Sequence, residues 1–222
     1  PAPRGVMLNV GDINKNGYLD IVVAMMGHYI RRPETLCILY GGPDGYSLDN
    51  SQQMAAGYSA HCVALADLNN DGNLDLYVPA YSSTTTRELP AQIFWGNGKT
   101  IDLENPLNLP AESPTAALMI DINRNGYNDL VITCHRNNLG HQVDSVIYWN
   151  GPEGFSTDRV TRFPGMGPHE TSTRDHGNAY NREPYESYIS PSFELNKQTP
   201  LRIYWEAEIV PTTTIKFQLR WG

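Results

Sequence analysis

The chain has 222 residues, with 16 Lys and Arg against 24 Asp and Glu, a formal net charge of −8 and only 18% charged residues. That balance excludes a nucleic-acid partner, which needs a basic face, and no apolar run approaches the roughly 20 residues of a membrane span. A chain of this length can bury a substantial core, and its 19 Gly and 16 Pro, beside plentiful Asn, Ser and Thr, point to a turn-rich all-β protein.

PAPRG at the N-terminus reads as a processed start and not as a signal peptide. The first strand follows, with Leu8 and Val10 at alternate positions. Next comes the loop DINKNGYLD from Asp12, then the apolar strand IVVA, and later the strand CILY, which closes on Tyr40 and a Gly turn. PDGYS then leads into a fourth strand.

The same order repeats. Val63 and Leu65 precede DLNNDGNLD at Asp67, LYVP follows, and QIFW closes on Trp95 and GN. Ala117 and Met119 precede DINRNGYND at Asp121, LVIT follows, and VIYW closes on Trp149 and NG, then PEGFS. The first Asp residues are 55 and 54 positions apart. A unit of strand, loop, strand, variable loop, strand, Gly turn and strand has the size of a propeller blade. In that phase Tyr40, Trp95 and Trp149 are expected to pack between blades.

The loops carry the chemistry. Positions 1, 3, 5 and 9 are Asp12, Asn14, Asn16 and Asp20 in the first copy, Asp67, Asn69, Asp71 and Asp75 in the second, and Asp121, Asn123, Asn125 and Asp129 in the third. Calcium takes six to eight oxygen ligands from short carboxylates, amides, backbone carbonyls and water. Alternate side chains on a curled loop converge on one point, and Tyr18, Asn73 and Tyr127 at position 7 would each add a backbone carbonyl. Gly17, Gly72 and Gly126 hold position 6, where the chain bends sharply and a β-carbon would obstruct it. Position 12 is Val23, Val78 or Ile132, so none is an EF-hand, which needs a Glu there. A metal-free Asx turn accounts for one such loop; three in register favour three calcium ions, which would offset about six of the negative charges.

This pattern, D-x-N-x-D/N-G-x-x-D with a β-run and an aromatic-Gly turn, resembles the FG-GAP/VCBS repeat over roughly residues 5–160. The resemblance implies an integrin-α-like β-propeller architecture, an extracellular place on a cell surface or in a secreted protein, and the calcium ligands named above. Another step of 54 lands on Asp175, where His169 falls with His61, but HGNAYNREP lacks the Asp and Asn alternation. SYISPSFEL, LRIYWEAEI and TIKFQLRW still read as strands, and this stretch resembles a β-sandwich-like segment that follows such repeats in some bacterial proteins. The expected fold class is therefore all-β, with propeller-like blades of four-stranded antiparallel sheet at about 1–55, 56–109 and 110–165. A C-terminal β segment over 166–222 would be a degenerate fourth repeat or part of a β-sandwich.

Three blades with a doubtful fourth leave open sheet edges, which are templates for pairing. The expected partners are a second copy or the remainder of a larger polypeptide, with a glycan or a surface protein as a further possibility. Cys37, Cys62 and Cys134 sit at different repeat positions and read as small buried hydrophobes; an extracellular protein could still pair two of them. His28 and His135 follow corresponding strands, and His61 and His169 precede a loop strand and its counterpart. With no Ser-His-Asp order, CxxC pair or phosphate-binding Gly loop, they are expected to be ordinary polar residues, and catalysis is not expected. Abundant Tyr and Trp keep a carbohydrate-binding propeller open, as does a non-catalytic place in a polysaccharide-active enzyme.

Overall fold

A computed structural model of the chain describes residues 4–26, 35–55, 58–168 and 217. Pro1–Ile189 forms one compact unit and Ser190–Gly222 a second. Asp175 and the three strands expected after it, apart from Phe217, lie outside the described residues, as do His28 and His169.

The described residues are all-β, in three sheets. The first orders β1 (Arg4–Gly11), β2 (Asp20–Met26), β3 (Thr35–Gly42) and β4 (Gly45–Ala55) side by side. The third does the same with β10 (Pro114–Ile120), β11 (Asp129–Cys134), β12 (Val143–Tyr148) and β13 (Val160–Gly165). Neighbours are antiparallel throughout. The middle sheet departs slightly. Its first strand is broken into β5 (Ser59–Ala60) and β6 (Ala64–Ala66), and both pieces pair with β7 (Asp75–Ser82), followed by β8 (Ala91–Phe94) and β9 (Leu107–Leu109). Each sheet is therefore a four-stranded meander, and each Asx loop is the β-hairpin connection between its first two strands.

The sheets stack back to front. One core joins Val22, Leu36, Ile38 and Tyr40 of the first sheet to Leu65, Leu76, Val78 and Phe94 of the second and to Val63 in the break between β5 and β6. The other joins Ala64, Ala66, Tyr77 and Ile93 on the opposite face of the second sheet to Met119, Leu130, Ile132 and Tyr148 of the third. The side-chain period of two explains this use of both faces of the middle sheet. β7, buried along its whole length, shows the continuous apolar run that such a position requires.

Equivalent residues meet different fates at the end of the stack. The cross-strand rows Leu65, Leu76, Phe94 and Met119, Leu130, Tyr148 are buried. Their counterparts Val10, Ile21 and Leu39 form the same row on the first sheet. There Val10 is 47% exposed and Leu8, beside it on β1, is 61% exposed. The aromatic that ends each third strand points the other way. Tyr40 is buried in the first core, Trp95 packs against the second, and Trp149 is half-buried with its indole N–H donated to Thr161 on its own sheet, 2.9 Å away. All three cysteines are free and buried.

Candidate metal centres

The three Asx loops fold alike to the level of single hydrogen bonds. Asp12 Oδ1 and Asn14 Oδ1 both accept from the Asn16 N–H, at 3.0 and 3.1 Å. Asp67 and Asn69 share the Asp71 N–H at 3.2 and 2.9 Å, and Asp121 and Asn123 share the Asn125 N–H at 3.0 and 3.1 Å. The other oxygen of each first Asp takes the N–H of the position-6 glycine. The oxygen of position 5 takes the N–H of Tyr18, Asn73 or Tyr127. Side-chain oxygens from positions 1 and 3 thus converge on one spot in every copy.

Position 6 needs Gly for its backbone angle. φ is +87° at Gly17, +83° at Gly72 and +89° at Gly126, a region that side chains disfavour. The expected steric obstruction is corrected here: a β-carbon built at Gly72 or Gly126 meets nothing within 4 Å. Position 4 was not singled out from the sequence, yet Lys15, Asn70 and Arg124 all adopt positive φ, at +57°, +58° and +64°. Asn tolerates that region, so Asn70 was the one readable signal.

Position 9 holds a different kind of carboxylate. Asp20, Asp75 and Asp129 are all 0% exposed. One oxygen accepts the N–H of position 2, from Ile13, Leu68 or Ile122. The other accepts an N–H at the end of the third strand or just beyond it, from Gly41, Gly96 or Asn150, at 2.8–2.9 Å. These residues peg the loop to the far end of the third strand of the same blade. At Gly96 the approach is so close that a β-carbon would lie 2.0 Å from the Leu74 carbonyl. Asn150, which stands there in the third repeat, instead donates its amide to the Asn128 and Leu68 carbonyls at 3.0 and 2.7 Å. Burial pushes the Asp75 carboxyl up to about 6; hydrogen bonds from Gly96 and Leu68 oppose the shift, and the charges of Asp71 and Asp67 add to it. Asp129 is raised too, by burial first, with a contribution from Asp121.

The donor set suits a hard cation. Each loop offers two or three carboxylates, two or one amide oxygens and a position-7 carbonyl, all oxygen. Among the described residues no group of three or more His, Cys, Asp and Glu side chains gathers as a metal cluster, so the loops rely on amide and backbone oxygens beside the carboxylates.

The histidines gather elsewhere. β7 begins at loop residue Asp75, and Tyr81 lies near its other end. The Tyr81 ring stands 5.3 Å from His61 and 5.9 Å from His135, with His141 a further 4.6 Å beyond His135 and the Arg87 guanidinium 5.1 Å over Tyr81. His135 Nδ1 is 2.9 Å from the Gly167 carbonyl.

Residues 12–78 match the family model of the FG-GAP-like repeat. The match opens on the first residue of the first loop and ends within β7, so it spans one full repeat period and the second loop. No curated protein matches the chain. The FG-GAP-like repeat and the meander sheets agree on a repeat module. No helix among the described residues is long and apolar enough to cross a membrane.

Proposed function

We propose that this chain is an extracellular, calcium-binding structural and adhesive repeat module. The observation that carries the proposal is the threefold convergence of the position-1 and position-3 oxygens on a single backbone N–H. Asp12, Asn14, Asn16, Tyr18 and Asp20 would hold one ion. Asp67, Asn69, Asp71, Asn73 and Asp75 would hold the second, and Asp121, Asn123, Asn125, Tyr127 and Asp129 the third. Bound calcium would neutralise the loop carboxylates and fix the hairpin between the first two strands of each blade. The chain would act by holding surfaces rigid, not by catalysis.

The half-exposed row of Val10, Ile21 and Leu39 supports association with further repeats, in a larger polypeptide or a second copy, because the same row is covered in the next two sheets. A glycan-binding reading has its own support. Tyr18 and Tyr46 are 45% and 49% exposed beside the first loop, where aromatic faces would be available to a sugar ring. Calorimetric titration of chelator-stripped protein tests the main proposal. Calcium uptake without zinc preference is expected; no heat of binding would refute it. A glycan array tests the second reading, and an array without hits would remove it.

A further inference from the structure

We propose that Asn70 is a positioning residue that couples the second and third metal loops, so that they take up calcium together; this rests on the calcium reading above. The positive φ of Asn70 turns its side chain out of its own loop. Its amide donates to the Gly126 carbonyl at 2.8 Å, 56 residues along the chain. Gly126 is position 6 of the third loop, and its N–H already donates to Asp121 Oδ2 at 2.9 Å. The two peptide units that meet at Gly126 are therefore held, one by a metal-ligand residue and the other by the second loop.

Asn70 lies between two candidate ligands, Asn69 and Asp71. An ion that fixes those neighbours fixes the Asn70 backbone, and through its amide the Gly126 carbonyl. Ordering in one loop thus lowers the entropy that remains to be lost in the other, which is positive coupling, and the coupling must be equal in both directions. Asn150 adds a second tie between the same repeats through its bond to Leu68, position 2 of the second loop.

The first loop is joined differently. Lys15 has the same backbone geometry, but its Cδ lies 3.6 Å from where a Gly98 β-carbon would stand, beside Asn73. A cation at that point competes with calcium for loop two and makes no bond that would order it. Loop one therefore titrates on its own.

The test follows backbone amide NMR signals of Gly17, Gly72 and Gly126 while calcium is added to the full chain. In the wild type Gly72 and Gly126 should move with one shared midpoint. Asn70→Gly keeps the backbone angle and removes the donor; Asn70→Asp keeps the side-chain shape and removes the donor. Loss of one such bond should shift the Gly126 midpoint about 3–10-fold higher in calcium, split it from Gly72, and leave Gly17 unmoved. Unchanged midpoints in both variants, with three ions still bound, would overturn the coupling and leave the calcium reading intact. If no signal moves with calcium in any of the proteins, both fall.

Discussion

The position-9 carboxylates should stabilise the fold even without metal, and Asp75 is the sharpest case. Its oxygens accept the Leu68 and Gly96 N–H groups, each at 2.9 Å, and the residue is 0% exposed. Asp75→Ala leaves both donors buried and unpaired, at about 1–3 kcal/mol each. Burial of the charge, which pushes the carboxyl up to about 6, offsets part of that loss at neutral pH. The net destabilisation should be about 2–4 kcal/mol, a fall in Tm of roughly 5–15 °C for a chain of this size. Asp67→Ala is the control. Its partners, the Asp71 and Gly72 N–H groups, sit in an exposed loop where water replaces the carboxylate. It should cost only about 0.5–1.5 kcal/mol in chelator and more in calcium. Urea unfolding of both variants, with chelator and with calcium, measures the four values. Equal losses for Asp75→Ala and Asp67→Ala in chelator would refute the reading that the position-9 carboxylate, unlike the position-1 carboxylate, stabilises the blade without metal.

Other outcomes follow from the same geometry. Chelation should lower the melting temperature, because a ligand that binds only the folded state stabilises it by mass action; calorimetric melts with and without chelator check this. In metal-free protein, stability should fall as pH rises from about 4 to about 6. Asp75 is raised from 3.8 to about 6 in the fold, so the folded state binds more protons than the unfolded in that window. Asp129 acts in the same direction, and the benefit of calcium, which prefers the ionised carboxylates, should grow across the same range in pH-resolved melts. Val10→Glu should weaken self-association seen by light scattering while leaving the melting temperature within about 2 °C, since Val10 is 47% exposed. A stable monomer for the unsubstituted chain in calcium would show that its sheet faces need no second copy.

The local chemistry was legible because it is short-range and written three times. Hairpins, the sharp bend at Gly17, Gly72 and Gly126, and the oxygens of positions 1 and 3 all follow from nine consecutive residues. What escaped was set at a distance. The burial of Asp20, Asp75 and Asp129 depends on an N–H 21 residues further on, which closes over them. Leu8 and Val10 have the same pattern as Val63 and Leu65, and only the presence of a neighbouring sheet separates an exposed strand face from a buried one. Phe94 and Tyr148, one residue before the conspicuous tryptophans, fill the inter-sheet cores because strand faces alternate at every step. The break between β5 and β6 at 61–63 falls where the first strands of the other two sheets also slip register, between Gly5 and Met7 and between Pro114 and Ala117, and the alternating pattern does not mark it.

Native mass spectrometry of the chelator-stripped chain, taken through increasing calcium, counts the ions directly. Three calcium ions should bind, with the second and third loops emptying last and together, because Asp67, Asp71 and Asp75 give the second loop three carboxylates where the others have two and Asn70 ties it to the third. Asp67→Ala should reduce the count by one under the same conditions. A mass that does not change with calcium, or three ions retained in the variant, would contradict the assignment of these loops as calcium sites.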